Sequence, residues 1–393
     1  MYDVKNYNGE EKERLFFMRN IAYIYSSKTN KMQITKIAVA MSGGIDSSIT
    51  ALLLQEQGYE IVGITLRIWD YLSEGCEEKE TGCCSMESIF EAQDFCKKIG
   101  IPHHIVDVRN QFKNIVVENF ISEYLDARTP NPCVVCNPTV KWAGVLEKAD
   151  ELGCSHIATG HYSQVSEHNG RYFFKRAADS SKDQSYVLWQ LTQDQIKRTI
   201  LPLGSFKKSE IKELAAERGF TKLAKKRESQ EICFIPDDNY RKFLKTRVHG
   251  LEEKVQGGSF ISTNGIILGT HDGYPFYTIG QRKGLRIALG KPAYVIDIKK
   301  ETNEITLGEK QDVFRNTMII DSVNCLKYEN LPENSPLHVK IRYNTHAMLC
   351  SVKKQSNSTF EVFFNEPVSA ITPGQSAVFY EGNDMIAGAI IIK

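Results

Sequence analysis

Charge of one sign is what this sequence lacks most. Its 49 Lys and Arg stand against 48 Asp and Glu, a formal net charge of +1 over 393 residues. That balance does not announce a nucleic-acid binder, so any contact with RNA has to come from local patches. No apolar run is long enough to cross a bilayer. There is no internal repeat and no low-complexity segment. A secretory signal is absent too, although the chain has 10 cysteines, several beside apolar runs. The combination predicts reduced thiols and a cytoplasmic location, with any functional disulfide transient and catalytic. A hydrophobic content of 41% and a charged content of 25% are those of a soluble globular protein. At 393 residues, two or three domains are expected. Residues 1–33 read as an N-terminal extension. Its aromatic-rich part is too short and interrupted for a signal, and its acidic residues argue against a mitochondrial leader.

The most informative stretch is Ala40-Met41-Ser42-Gly43-Gly44-Ile45-Asp46-Ser47-Ser48. It follows an apolar run from Lys36 that reads as a buried strand, and it precedes a segment with helical spacing. A strand, a Gly-Gly turn and a helix start make an anion cradle, because the first helical N–H groups and the dipole favour negative charge there. The serines add hydroxyl donors. Asp46 could cap the helix or hold a magnesium ion through water. No Lys follows the glycines, so this is not the GxxxxGK[ST] loop, and the spacing is not GxGxxG. A capped turn alone would need fewer of these residues. The pattern resembles the pyrophosphatase loop of enzymes that split ATP into AMP and pyrophosphate.

Further on, strands are expected at 60–68, 102–106 and 155–159, and helices at 88–99, 110–125, 137–152 and 207–218. Alternation of this kind implies an α/β fold with a parallel sheet, whose ligands bind beyond the carboxyl ends of the strands. The serine loop, Leu66 and the Thr159-Gly160-His161 turn all fall at such ends. After about Gly257 the texture changes to short alternating runs separated by Gly, Asn and Pro, the pattern of an antiparallel β region ending in a small barrel.

Thr129-Pro130-Asn131-Pro132-Cys133-Val134-Val135-Cys136-Asn137 is the second informative stretch. Its prolines predict a rigid loop before a helix that begins near Asn137. Cys136 would then lie at a helix N-terminus, where the dipole favours a thiolate. A CxxC pair can be a redox pair, a metal half-site or a nucleophile with a bystander. Zinc would want a second pair, and none has suitable spacing. Cys233, alone in an apolar hexapeptide, reads as a small buried hydrophobe.

Taken together, TPNPC-xx-CN, ATGHY at 158–162, KDQSY at 182–186, ESQEICFI at 228–235 and YTIGQRKG at 277–284 resemble the tRNA-specific 2-thiouridylase family over nearly the whole chain from about Ile34. The resemblance implies an ATP pyrophosphatase-type α/β domain at 34–235, a central tRNA-binding domain at 236–305 and a C-terminal antiparallel β-barrel at 306–393. It implies ATP-dependent replacement of the C2 oxygen of the wobble uridine of tRNA by sulfur. Adenylation would turn a poor leaving group into AMP. Cys233 would carry a persulfide donated by a sulfur carrier or cysteine desulfurase, and Cys136 would complete the transfer. Ala40, Met41, Ser42, Gly43, Gly44, Ile45, Asp46, Ser47, Leu66 and Gly160 would hold ATP with Mg²⁺.

Asn131, Pro132 and residue 133 would touch the target base. Many family members carry Asp where this chain has Cys133. The departure opens an alternative in which Cys133, Cys136 and Cys233 supply three ligands of a [4Fe–4S] cluster. His161, Lys182, Asp183 and Gln184, with Tyr186, are expected at the anticodon stem-loop, and Arg342, Tyr343 and Gln375 match tRNA-contact positions. The clusters of Lys225, Lys226, Arg227, Arg241, Lys242, Lys245, Arg282, Lys283 and Arg286 would track phosphates, or else be solvated helix faces. Competing readings are another ligase or amidotransferase with the same ATP loop, and an RNA-binding or sulfur-carrier protein without catalysis.

Overall fold

The structure, a computed structural model, describes residues 36–69, 86–226, 232–235 and 237–393. The expected N-terminal extension, Cys76, Cys83, Cys84, Arg227 and Glu228 to Glu231 lie outside the described residues. Five parallel strands form the first sheet, in the order β3-β2-β1-β4-β7: β1 (Lys36–Ala40), β2 (Glu60–Arg67), β3 (His103–Asp107), β4 (His156–Ala158) and β7 (Thr199–Ile200). β1 is central because its apolar residues are covered on both faces; Ile37, Ala38 and Val39 are all 0% exposed. Helix α1 (Ile45–Glu56) follows β1, and α2 (Met86–Ile99) lies between β2 and β3. The expected α/β fold with a parallel sheet is therefore present.

Two helices depart from regular α geometry. Residues 109–125 form α3, with a π-helical stretch at Lys113–Val117. Residues 132–151 form α4, α-helical at Pro132–Cys136, π-helical at Asn137–Trp142 and α-helical again at Ala143–Glu151. This corrects the expected start near Asn137. Pro132 occupies the first helical position, where a missing N–H costs nothing. Pro138 has no N–H to offer a carbonyl of the preceding turn, and the helix widens around it instead of ending. The two irregular stretches meet: Pro132–Cys136 packs on Lys113–Val117.

The middle region is a four-stranded sheet in the order β10-β11-β8-β9, comprising β8 (Gly258–Ser262), β9 (Ile267–His271), β10 (Tyr294–Lys299) and β11 (Glu304–Gly308). β11 pairs parallel to β8, so the sheet is mixed and not wholly antiparallel as expected. It also carries β11 past the expected boundary at residue 305. The C-terminal barrel consists of β12 (Phe314–Cys325), β13 (Leu337–Lys340), β14 (Met348–Lys354), β15 (Phe360–Ser369), β16 (Ser376–Glu381) and β17 (Asp384–Ile391). It closes through pairing of β12 with β17, which leaves no free edge between those strands.

One connection was not expected. The hairpin of β5 (Gln164–His168) and β6 (Arg171–Lys175) belongs in sequence to the first region, yet β6 pairs with β17 of the barrel. Close packing reinforces the junction. Tyr186 donates from its hydroxyl to Ser376 O at 2.9 Å, and Trp189 Nε1 donates to Ser376 Oγ at 2.9 Å. A Cβ on Gly388 would lie 2.3 Å from the Trp189 ring. Gly388→Ala is therefore expected to cost about 1–3 kcal/mol by overpacking. Denaturant unfolding checks this, and an unchanged midpoint would contradict the packing described.

Candidate active site

The loop after β1 is bonded to β2: Met41 N donates to Ile64 O at 2.8 Å, and Thr65 Oγ1 donates to Met41 O at 3.0 Å. Gly43 has φ +70°, and a Cβ there would sit 2.2 Å from the Ser88 carbonyl oxygen. Only glycine fits both conditions. Gly44 is the N-cap of α1 and supplies no side-chain cap. Ser47 Oγ accepts from Ser42 N at 3.1 Å and donates to Gly44 O at 3.1 Å, which tightens the turn, while Ser42 itself is exposed. An uncapped helix start with an exposed serine beside it suits a phosphate. Gly160, at the end of β4, comes so close to α1 that a Cβ would be 2.8 Å from the Asp46 carbonyl carbon and 2.9 Å from Ser47 N. The two loops therefore meet, as their places at the strand ends imply. Leu66, near the end of β2, packs on Gly144 of α4.

Asp46 differs from expectation. It does not cap α1, and both carboxylate oxygens lie 2.7 Å from Lys208 Nζ, with Tyr162 OH donating to Oδ1 at 2.8 Å. The Lys208 side chain is only 7% exposed and that of Asp46 32%. The carboxylate thus neutralises a buried ammonium, and a magnesium ion would have to displace that ammonium; the fit to Mg²⁺ at this residue is poor. Sequence reasoning missed Lys208, and only the buried partner gives it away. Lys226, expected on tRNA, turns inward to Glu91 and to Gly43 O at 3.2 Å.

His161 is half-buried, its Nδ1 2.8 Å from Thr159 Oγ1 and its ring 5.2 Å from that of Trp142. Burial, with a contribution from Lys141, pushes its pKa down to about 3, so the ring is neutral at physiological pH. Asp183 and Gln184 spend their side chains on the protein. Asp183 is 8% exposed and accepts from Ala177 N at 3.2 Å, Ser185 N at 3.1 Å and Ser185 Oγ at 3.0 Å. Gln184 Oε1 accepts from Tyr162 N at 2.9 Å. Gln184 thereby holds the Gly160–Tyr162 turn, while Asp183 ties Ala177 to Ser185; Lys182 beside them is half-buried.

The cysteines divide by environment. Because α4 starts at Pro132, with Asn131 as N-cap, the exposed Cys133 occupies the first turn. Cys136 lies one turn further in and is 4% exposed, which corrects its expected place at the N-terminus. Next to it, Asn137 is 1% exposed and donates from Nδ2 to Val187 O at 2.8 Å. Cys136 belongs to an apolar cluster on which the half-buried Cys233 packs. Phe234, 2% exposed, anchors that segment. Its ring lies 5.9, 5.6, 5.2 and 5.3 Å from those of Trp69, Phe112, Phe120 and Phe243. Three of the four are edge-to-face pairs, which each add about 0.5–1.5 kcal/mol beyond area burial. None of the three cysteines is in a disulfide. Among the described residues no group of three or more His, Cys, Asp or Glu side chains is placed to hold a metal ion. The donor set for a cluster on Cys133, Cys136 and Cys233 is therefore not assembled here.

A cleft of about 750 Å³ opens where the three regions meet, lined by Thr129, Tyr240, Arg241, Thr278, Arg342 and Gln375 among others. Residues 40–47 are not part of its lining. Gln375 Nε2 donates to Thr129 O at 2.9 Å and Pro130 O at 3.1 Å, so the barrel clamps the loop that leads into α4. Arg342 Nη2 donates to Ala370 O and Thr372 Oγ1, both at 2.7 Å. Tyr343 is 38% exposed, and burial first, then Asp183 and Cys133, raise its pKa.

Three family models match in order: a tRNA methyl transferase HUP domain over residues 35–237, a tRNA methyl transferase PRC-barrel domain over 241–309, and an aminomethyltransferase beta-barrel domain over 315–391. The chain is 52% identical over 357 residues to the tRNA-specific 2-thiouridylase MnmA of Amoebophilus asiaticus, covering 91% of this chain and 95% of the relative. It is 50% identical over 357 residues to the protein of the same description from Cytophaga hutchinsonii, covering 91% and 97%. Among solved structures, the U34-tRNA thiolase NcsA from Methanococcus maripaludis overlays loosely, with a TM-score of 0.34 and 19% identity over 61% of this chain and 74% of that one.

Two outcomes are expected at this site. Lys208→Met leaves Asp46 without its cation and should cost about 2 kcal/mol in chemical unfolding; no loss would mean that the pair is not structural. The unfolded chain takes up a proton near pH 6.5 that the folded His161 refuses until about 3. Folding stability from this residue is therefore complete above that window and falls as pH drops through it. His161→Gln should flatten the decline between about pH 7 and about pH 4, measured by urea unfolding; an unchanged slope would contradict a ring held neutral by the fold.

Proposed function

The chain belongs to the tRNA-specific 2-thiouridylase family of tRNA-uridine 2-sulfurtransferases, and we propose that it thiolates C2 of the wobble uridine by adenylation followed by sulfur transfer between Cys233 and Cys136. The observation that carries this reading is the shared apolar cluster. Two cysteines far apart in sequence, one buried and one half-buried, pack into it. The chain that unites them also carries an uncapped phosphate cradle. Methyl transfer, named in the family descriptions, would need neither feature.

The residues fit ATP. The exposed Ser42 and the start of α1 would take the phosphates, with Ala40, Met41, Gly43, Gly44, Ile45, Ser47, Leu66 and Gly160 shaping the site. The adenosine would lie against Leu66 and Gly160. Nucleophilic attack by the uracil C2 oxygen on the α-phosphorus releases pyrophosphate and leaves AMP on that oxygen. Asp46 acts by fixing Lys208, and no step is assigned to a metal ion at it.

The tRNA anticodon stem-loop would enter the cleft, where Arg241, Lys283 and Arg342 face it. Asn131, Pro132 and Cys133 would border the flipped base. His161 would stand beside the base or nucleotide as a neutral ring, and Lys182, Tyr343 and Gln375 would support the loop. Gln184 would contribute by holding the turn at Tyr162, and Asp183 by fixing the segment from Ala177 to Ser185 beside it.

Sulfur arrives as a Cys233 persulfide supplied by a sulfur-carrier protein or cysteine desulfurase. In one route Cys136 attacks Cys233 Sγ, forms the Cys136–Cys233 disulfide and releases hydrosulfide, which displaces AMP from C2. In the other the terminal persulfide sulfur displaces AMP first, and Cys136 then attacks Cys233 Sγ to free 2-thiouridine. Both leave the same disulfide, which a reductant must open. Among the described residues no helix is long and apolar enough to cross a membrane.

A strain deleted for this gene should lack wobble 2-thiouridine in its tRNA. The wild-type gene should restore it, and Cys136→Ala and Cys233→Ala should not, read by nucleoside mass spectrometry. Restoration by either variant would refute the two-thiol mechanism. ATP–pyrophosphate exchange independent of tRNA would favour a small-molecule ligase instead.

A further inference from the structure

The proposed cycle ends in a disulfide that is difficult to reach. Cys136 is 4% exposed, and Cys233 packs on the same apolar cluster, beside the fully enclosed Phe234. A protein reductant approaches through solvent and needs an accessible sulfur. Cys133 is exposed, and it stands one helical turn before Cys136 on the same helix. Residues three apart on a helix are neighbours, with Cβ atoms about 5–6 Å apart. A disulfide asks for about 3.8 Å between Cβ atoms. The difference is small for a first turn, whose opening N–H groups have no intrahelical partners to lose.

We propose that Cys133 is the resolving thiol of this enzyme: it transfers the Cys136–Cys233 disulfide onto the Cys133–Cys136 pair, returning Cys233 for the next persulfide. The inference rests on the two-thiol mechanism above and extends it. Cys133 as thiolate attacks Cys136 Sγ. The Cys133–Cys136 S–S bond forms and the Cys136–Cys233 bond breaks. Cys233 leaves as a thiolate and is protonated from solvent, so the exchange is redox-neutral. A protein dithiol of the thioredoxin class then attacks the exposed Cys133 sulfur. It becomes a disulfide itself and returns both helix cysteines to thiols. The exchange is favoured by proximity, because attacker and target share one turn of one helix. Gln375 of the barrel holds the Thr129–Pro130 backbone just ahead of this turn.

The test uses the full-length protein loaded with persulfide. Wild type and Cys133→Ser react with ATP and unmodified tRNA without reductant, and thiols are then alkylated and mapped by peptide mass spectrometry. Wild type should show thiolated tRNA, a Cys133–Cys136 disulfide and an alkylated Cys233. In Cys133→Ser, whatever its yield of thiolated tRNA, the disulfide that forms should be Cys136–Cys233, and a thioredoxin-class reductant should open it far more slowly than the wild-type disulfide while dithiothreitol opens both. Wild type that makes product yet retains Cys136–Cys233 with Cys133 alkylated overturns the inference and leaves the two-thiol mechanism standing. Absence of product refutes the mechanism itself. In that case, equilibration of wild type in oxidised and reduced dithiothreitol still decides whether the Cys133–Cys136 pair closes. Failure to close overturns the resolving role.

Discussion

The contact on which the rest depends is the approach of Gly160 to the first turn of α1. A single methyl group at Gly160 would collide with the backbone of Asp46 and Ser47. That closeness brings the end of β4 against the cradle that follows β1, and it puts the Asp46–Lys208–Tyr162 group at the seam. Tyr162 is itself positioned through its N–H by Gln184. Three segments distant in sequence are thus joined by one close backbone contact and one buried ion pair. The ammonium of Lys208 and the carboxylate of Asp46 cancel beside the uncapped helix start, so the cradle keeps the positive end of the dipole for a phosphate.

A second set of contacts carries this order to the thiols. Phe234 fills an aromatic enclosure built from α3, the end of β2 and the helix Tyr240–Arg247, which fixes Cys233 in the cluster that holds Cys136. The barrel does the corresponding work for the other side of α4: Gln375 clamps the Thr129–Pro130 backbone, and β6 ties the barrel to the first region. The cleft at the junction is therefore bounded by elements that cannot move independently without breaking named contacts. Domain closure on an RNA loop would have to proceed from this linked state.

Much of this was legible in the sequence. β1 and α2 fall where the pattern puts them, α2 to within two residues, because apolar spacing and helix formers agree locally. The serine loop was readable for the same reason. The hairpin at 164–175 was missed, although Asn169-Gly170 between two alternating runs is a strong turn signal. Pro130 and Pro132 misled the placement of α4, since they read as a rigid loop ahead of the helix, whereas Pro132 is its first residue. Asp183 and Gln184 have residue types suited to RNA contact, but burial and backbone bonding determine their role, and neither is visible in one sequence. Lys208 and Lys226 look like solvated cations until their partners, far off in the chain, are in place.

The central claim is that a base oxygen activated by the phosphate cradle is replaced by sulfur from the paired thiols. It is tested most directly by following that oxygen. Purified enzyme, persulfide-loaded, would be given ATP and tRNA whose wobble uridine bears a heavy oxygen isotope at C2, and the products would be read by mass spectrometry. The account predicts that the isotope leaves with AMP as 2-thiouridine forms. Isotope found in inorganic phosphate, or 2-thiouridine formed with unlabelled AMP, would contradict it.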